Sequence, residues 1–214
     1  MHKLLPFRQY DEKDVVNLFA LKHSDLTLTT LKPGDDSANK VNWSGAVLKV
    51  DSSAANWTAD EPGGLHSATH NAESYLGAIG SGDQGPFASK FGSFYPEAPM
   101  KLVAAGVADA AALGLALKPT LAYDENDEKL LYYSRKKDEL QCSIPGETVP
   151  VATGGFFTIQ TSGLAVGELL ETAANGELTS SATPAGATFG RVLAAGDRSG
   201  NGTNDTFFIQ VLAG

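Results

Sequence analysis

Residues 140–160, LQCSIPGETVPVATGGFFTIQ, decide the fold class, because they consist of three short extended runs separated by two turn signals. Pro145-Gly146 has the residue types of a tight turn, since proline presets φ at one corner and glycine tolerates positive φ at the next. Phe157 and Ile159 recur at the period of two that is typical of a half-buried strand. Gly154-Gly155 separates this run from the one before it and predicts a hairpin. We therefore expect a compact β unit to begin here.

The same pattern continues to the C-terminus, where short strands recur at the spacing of all-β proteins. These strands are predicted at residues 168–171, 177–181, 187–194 and 206–212. Asn175-Gly176 is the strongest hairpin dipeptide in the chain, and Phe207, Ile209 and Val211 supply an inward face. Upstream, the sequence predicts strands at residues 43–50 and 113–117, a possible helix at 107–113, and one or two helical turns at 130–140.

Together these patterns predict a mainly β protein built from three segments. Residues 1–30 form an N-terminal arm, residues 31–139 a loop-rich β region, and residues 140–214 a C-terminal small β-barrel or sandwich unit. Residues 51–99 show little periodicity but contain repeated aromatic side chains. Long irregular segments of a compact domain usually have a function or make contacts.

The composition excludes several classes of protein. The 214-residue chain has a net charge of −9, which makes it a poor candidate for nucleic-acid binding, because phosphate contacts need clustered Lys and Arg. Cys142 is the only cysteine, so no internal disulfide can form, and its apolar neighbours favour a buried structural thiol. No secretory signal and no membrane span are evident. We expect a soluble protein, made in the cytosol, that binds neither nucleic acid nor membranes.

The sequence predicts no catalytic, cofactor or metal site. Residues 80–85, GSGDQG, match the letters of a dinucleotide-binding loop but lack the flanking strand and helix. His66 and His70 have the spacing of helix-borne zinc ligands without an evident third ligand. Residues 197–202 are rich in oxygen ligands, but the glutamate that completes a calcium loop is missing. We therefore predict that the chain is not an enzyme and needs no cofactor.

The order of turns and strands resembles that of a known class of viral proteins. From residue 145 the chain runs Pro-Gly, Val-Pro-Val, Gly-Gly-Phe-Phe, Asn-Gly-Glu-Leu-Thr, Gly-Arg-Val-Leu-Ala-Ala-Gly and Phe-Phe-Ile-Gln-Val-Leu. This series is similar to the small β-barrel or sandwich units of the head decoration (cement) proteins of tailed bacteriophages. Residues 5–21, LPFRQYDEKDVVNLFAL, and 123–140, YDENDEKLLYYSRKKDEL, resemble small virion structural proteins of marine phages that infect cyanobacteria.

The resemblance implies a protein of the virion that is bound on the outer surface of the capsid. It would be a trimer at a local threefold position, with the major capsid protein as its partner. There it would clamp neighbouring capsid subunits against the pressure of the packaged DNA.

The N-terminal segment is the candidate interface. An extended arm can add main-chain hydrogen bonds to an exposed sheet edge while alternate side chains fill pockets. Aromatic anchors dominate interface energetics, and an arginine could pair with a capsid carboxylate. The candidate interface residues are Phe7, Arg8, Tyr10, Val15, Val16, Leu18, Phe19 and Leu21. The alternative is that this segment packs on its own chain, since termini tied into a sheet are common.

Two other functions are compatible with the sequence. A carbohydrate- or receptor-binding module of the virion would use Trp43, Trp57 and Tyr75 as stacking platforms. A structural component of the tail or baseplate is the other alternative.

Overall fold

The computed structural model confirms a mainly β chain. It describes residues 3–21, 43–51, 101–144, 147–197 and 206–211. Strand accounts for 44% of the interpretable residues and helix for 13%, as the predicted fold class requires. The predicted turn at Pro145-Gly146 and the patterns at residues 66–70, 80–85 and 198–202 lie outside the described residues, as do Trp57 and Tyr75.

The described residues contain twelve strands, one α-helix and three short 3₁₀ turns. The strands are β1 (Lys3–Gln9), β2 (Val15–Val16), β3 (Ala20–Leu21), β4 (Val47–Val50), β5 (Lys101–Ala104), β6 (Ala112–Ala116), β7 (Val151–Ala152), β8 (Gly155–Gln160), β9 (Leu169–Thr172), β10 (Leu178–Ser181), β11 (Gly190–Gly196) and β12 (Thr206–Val211). The helix α1 is Ser134–Leu140, and the 3₁₀ turns are Glu12–Asp14, Leu130–Tyr132 and Ala174–Gly176.

The strands form two six-stranded sheets. The first sheet has the order β1-β8-β12-β11-β9-β10 and is antiparallel throughout. The second has the order β2-β7-β6-β4-β5-β3, includes one parallel pair, β3 with β5, and curves into a half-barrel. Both sheets therefore combine N-terminal strands with strands from later in the chain, so the three predicted segments share one scaffold.

A shared core joins the two sheets. Phe157 and Phe207 are its largest fully buried side chains from the first sheet, and Val47 and Leu115 face them from the second. The other core residues are Leu4, Ala105, Leu117, Ala152, Ile159, Leu164, Leu170, Leu178, Phe189, Val192, Ile209 and Val211. The predicted inward face of the last strand is confirmed, because Phe207, Ile209 and Val211 all belong to this core.

The second sheet is buried on both faces. Leu48, Leu102, Ala116 and Val151 do not join the shared core but belong to a second apolar cluster. Strands buried on both sides consist of near-continuous apolar runs. This explains why β6 reads Ala-Leu-Gly-Leu-Ala, with little of the alternation that marks a half-buried strand.

The chain crosses from one sheet to the other at residues 153–154, so the predicted Gly154-Gly155 hairpin is wrong. β7 pairs with β2 and β6 in the second sheet, whereas β8 pairs with β1 and β12 in the first. Gly155 allows the chain to make this crossing. Gly155 has φ +125°, and a Cβ there would lie 2.8 Å from the carbonyl oxygen of Gln9 and from Cβ of Tyr10.

The N-terminal segment makes the same crossing beside it. β1 lies against β8 in the first sheet, and β2 lies against β7 in the second. The connection is held by Thr153, whose N–H and hydroxyl both donate to the carbonyl oxygen of Asp14, at 2.8 and 3.1 Å. β1 is an edge strand, and its register shifts between Leu4 and Arg8 around Pro6, which has no N–H to donate.

Other local predictions have mixed outcomes. Asn175-Gly176 does connect a hairpin, β9 to β10, with Asn175 at φ 58° and Gly176 at φ 72°. The helical turns predicted at residues 130–140 are present as a 3₁₀ turn and α1. The helix considered for residues 107–113 is not formed. Those residues make a turn and enter β6, because the carboxylate of Asp109 satisfies the backbone N–H groups of the turn.

That turn, between β5 and β6, is fastened to both sheets by Asp109. Its carboxylate accepts hydrogen bonds from the Lys49 ammonium at 2.7 Å and from the N–H groups of Gly106 and Ala111 at 3.0 Å. Its own N–H donates to Thr172 Oγ1 in the first sheet at 2.7 Å. The Lys49 hydrogen bond, supported by the two backbone N–H groups, lowers the pKa of Asp109 to about 2.

Gly155→Ala is expected to destabilise the protein by about 2–4 kcal/mol, because the added Cβ meets backbone atoms and φ stays strained. Gly163→Ala is the matched control, since Gly163 also has positive φ, +82°, but has nothing within 4 Å of the new Cβ. We expect this control to lose only about 1 kcal/mol, the cost of the backbone conformation. Urea denaturation measures both variants, and equal losses would contradict the close approach at the crossing.

Asp109→Asn is expected to lower the free energy of unfolding at neutral pH by roughly 1–2 kcal/mol. The loss is modest because the ion pair with Lys49 is partly open to solvent. A carboxylate with a lowered pKa stabilises the fold above its unfolded pKa and loses this effect as pH falls. The difference from the wild-type protein should therefore persist down to about pH 4 and shrink towards pH 2. Urea denaturation across this range tests it.

Asp11→Asn serves as the control for Asp109→Asn, because it breaks only a solvent-exposed pair with Lys13 at 3.4 Å. It should leave the stability and its pH dependence close to those of the wild-type protein. A difference for Asp109→Asn that does not change between neutral pH and pH 2 would contradict the role of the charge.

Candidate docking face of the first sheet

One side of the first sheet faces away from the core. Phe157, Ile159, Phe207 and Ile209 point inward and are buried, so the residues that alternate with them point outward. We call this side, across β1, β8, β12 and β11, the outer face. Its residues are Lys3, Phe7, Gln9, Phe156, Thr158, Gln160, Arg191, Leu193, Ala194, Phe208 and Gln210.

The register of the strands arranges the outer face in three rows. The first row runs Arg191–Gln210–Phe156–Gln9, the second Ala194–Phe208–Thr158, and the third ends with the pair Gln160–Lys3. Directly opposed side chains on one face of a sheet lie about 5 Å apart, so each row is continuous across the strands.

Large apolar side chains are exposed on this face. Phe7 is 72% exposed, Phe208 49%, Phe156 43% and Leu193 41%. Leu193 lies at a register shift of β11, where two residues oppose the single residue Phe208. Contiguous exposed apolar patches on a soluble protein mark sites of interaction, whereas single exposed side chains are ordinary.

The outer face is also free of acidic residues. β1, β8, β12 and β11 contain Lys3, Arg8 and Arg191 but no Asp or Glu, although the chain as a whole has 25 acidic residues. Arg8 points to the inner side, where its guanidinium donates to the carbonyl oxygen of Leu117 at 3.4 Å. The cations that face outward are therefore Lys3 and Arg191.

A hydroxyl without a hydrogen-bond partner lies in the middle row, on β8. Thr158 is opposed to Phe208 and is only 2% exposed, although it belongs to the outer face. Its Oγ1 has no hydrogen-bond partner. A buried polar group without a hydrogen bond destabilises a protein by about 1–3 kcal/mol. Such groups are rare in folded proteins, and each one calls for an explanation such as a functional role.

The predicted interface residues of the N-terminal segment divide into two groups. Phe7, Arg8, Tyr10 and Leu18 are exposed, although the ring of Tyr10 also stacks on buried Phe157 with centroids 5.7 Å apart. The remaining four, Val15, Val16, Phe19 and Leu21, are partly or fully buried against their own chain. The structure thus shows the arrangement considered as the alternative, in which this segment packs on its own sheets.

Sequence reasoning did not single out Phe156, Leu193 and Phe208. A signal was present, because Phe156-Phe157 and Phe207-Phe208 are adjacent pairs in strands. Side chains alternate between the two faces of a strand, so one phenylalanine of each pair must point away from the core. No such signal exists for Leu193, which depends on the register shift in β11.

Outside this face, other polar groups have structural roles. Asp124 is buried and accepts hydrogen bonds from the N–H groups of Asn126 and Glu128, both at 2.8 Å, so it closes its own acidic turn. Cys142 is buried as predicted, and burial raises the pKa of its thiol to about 11. Within the part of the chain that the structure describes, no group of three His, Cys, Asp or Glu could hold a metal ion, and no helix is long and apolar enough to cross a membrane.

Thr158→Val is expected to raise the free energy of unfolding by about 1 kcal/mol, because it replaces an unsatisfied buried hydroxyl with a methyl group of similar shape. Thr172→Val is the matched control. Thr172 is equally buried, but its hydroxyl accepts the N–H of Asp109, so the same change should destabilise the protein by about 1–2 kcal/mol. Thermal and urea denaturation would show opposite signs for the two variants, and a loss of stability in Thr158→Val would contradict an unsatisfied hydroxyl.

Comparison with protein-family models, curated proteins and solved structures gives no significant match for this chain.

Proposed function

We propose that this chain is a non-enzymatic decoration protein of a phage capsid, which binds the outside of the head through its outer face and strengthens contacts between major capsid subunits. The observation that carries the proposal is the exposed aromatic surface formed by Phe7, Phe156 and Phe208 on a continuous sheet. The resemblance of the turns and strands to head decoration proteins supplies the identity of the assembly.

The outer face has the physical properties of a docking surface. Burying a phenylalanine side chain completely stabilises a complex by about 1.5–3 kcal/mol, so partly exposed rings offer roughly half of that each. The rings project from paired strands, so little backbone order has to be gained when a partner binds. A rigid sheet face also suits a shell component that must not deform when the head is filled.

The rest of the N-terminal segment would support docking indirectly. It supplies β1, which carries Phe7, and it completes the second sheet through β2 and β3. Deleting residues 1–21 would therefore remove strands from both sheets together with the anchor, so point variants of the outer face are the sharper test. Self-association as a trimer, with the major capsid protein as the partner, remains part of the proposal.

The proposal is tested with particles from a genome that encodes this chain. Heads produced without the chain are incubated with the purified protein, and binding is measured by co-sedimentation and by imaging. We expect many copies per head on the outer surface. A chain that is missing from purified virions, that is found only on tails or baseplates, or that binds glycans without heads would overturn the proposal.

The double variant Phe156→Ser/Phe208→Ser should weaken binding to the heads by at least about tenfold, because it removes two anchors worth roughly 1 kcal/mol each. Val107→Ser is the matched control, since Val107 is an exposed apolar residue in the turn between β5 and β6, outside the outer face. It should bind like the wild-type protein. Equal binding by all three proteins would exclude the outer face as the docking site.

A further inference from the structure

We propose that the partner of the outer face is an acidic protein surface, in which carboxylates surround an apolar contact. This inference rests on the proposed function, and it specifies the chemistry of the head surface that the protein recognises. Charge complementarity and the hydrogen-bonding groups of the face carry it.

The first observation is the charge distribution. The six strands of the first sheet contain three basic residues and a single acidic one, Glu171. Glu171 is buried, and its carboxylate accepts the N–H of Gly186 at 2.8 Å, so this side chain is not exposed on the sheet. The whole chain, in contrast, has 25 acidic and 16 basic residues. The four strands that form the outer face thus contain no acidic residue, although the chain as a whole is acidic.

The second observation is where the outward cations lie. Arg191 stands at the β11 end of the first row, and Lys3 stands at the β1 end of the third. Three strand spacings and four residues separate them, which places them roughly 20 Å apart at opposite corners of the aromatic patch. Two cations at this distance, with phenylalanines between them, do not form the clustered basic site that phosphate groups require. They fit two separate carboxylates on a protein surface.

The third observation concerns hydrogen bonding. Lys3 and Arg191 are donors only, and the hydroxyl of Thr158 has no hydrogen-bond partner at all. Ionised carboxylates are acceptors only, so they complement each of these groups. A partner with carboxylates at the rim of its contact surface would pair with Lys3 and Arg191. A hydrogen-bond acceptor near the centre of that surface would accept the hydroxyl of Thr158, once rings such as that of Phe208 change rotamer to expose it.

The inference is tested with the same heads that lack this chain. The double charge reversal Lys3→Glu/Arg191→Glu is compared with Lys129→Glu/Arg135→Glu, which makes the same change in net charge at exposed residues beside and within α1. We expect the first variant to bind at least tenfold more weakly and the second to lose less than threefold. Arg191→Lys should retain most of the binding, and circular dichroism checks that all variants fold.

Salt provides a second readout. Binding of the wild-type protein should weaken between low and high salt, because ion pairs at the rim are screened. The variant Lys3→Glu/Arg191→Glu should lose most of this salt dependence, whereas Phe156→Ser/Phe208→Ser should keep it. Equal salt dependence in the wild-type protein and the charge-reversed variant would overturn the inference.

The outcomes separate this inference from the proposed function. If the wild-type protein does not bind heads, both the proposed function and this inference are wrong. If binding is strong and the two charge reversals affect it equally, the inference alone fails, since only the net charge then matters. If analytical ultracentrifugation shows self-association that Lys3→Glu/Arg191→Glu abolishes, a second copy of this acidic chain occupies the face instead of the head, and the inference is likewise overturned.

Discussion

The passage of the chain from one sheet to the other, at residues 153–154, is the constraint on which the architecture depends. Two segments of the chain cross between the sheets side by side. β1 pairs with β8 in the first sheet, and β2 pairs with β7 in the second. Gly155 allows the two chains to approach closely, and Thr153 ties them through Asp14. The N-terminal segment is thereby fixed in both sheets, and Phe157, just beyond the crossing, becomes the centre of the core that they share.

The sequence predicted the strands of the first sheet better than their connections. Phe207, Ile209 and Val211 alternate clearly because one face of the first sheet is buried and the other is not. The strands predicted at residues 43–50 and 113–117 of the second sheet are also present, as β4 and β6. Because both faces of that sheet are buried, their sequences did not indicate which side faces the first sheet. A Gly-Gly pair between two extended runs has the local signal of a hairpin. Only the pairing of β7 and β8 with different, distant strands shows that Gly154-Gly155 joins two sheets.

The candidate docking face was only partly predictable for a related reason. Phe7 was expected at an interface from the N-terminal segment, and the structure places it on the same face of the sheet as phenylalanines from distant parts of the chain. No local pattern brings residues 7, 156 and 208 together. Their neighbourhood, and the absence of acidic residues around them, follows from the order β1-β8-β12-β11, which is set by long-range strand pairing.

Pro6 has a consequence for a protein that would be packed in many copies on one particle. An open sheet edge is a template on which further chains can assemble, and uncontrolled growth of this kind leads to fibres. In β1, proline and the shift in register around it interrupt the row of N–H groups that such growth requires. If copies are packed as proposed, they would therefore be hindered from pairing edge to edge. Contact would fall to the broad surface of the sheet, where the identity of the side chains, rather than generic backbone pairing, selects the neighbour.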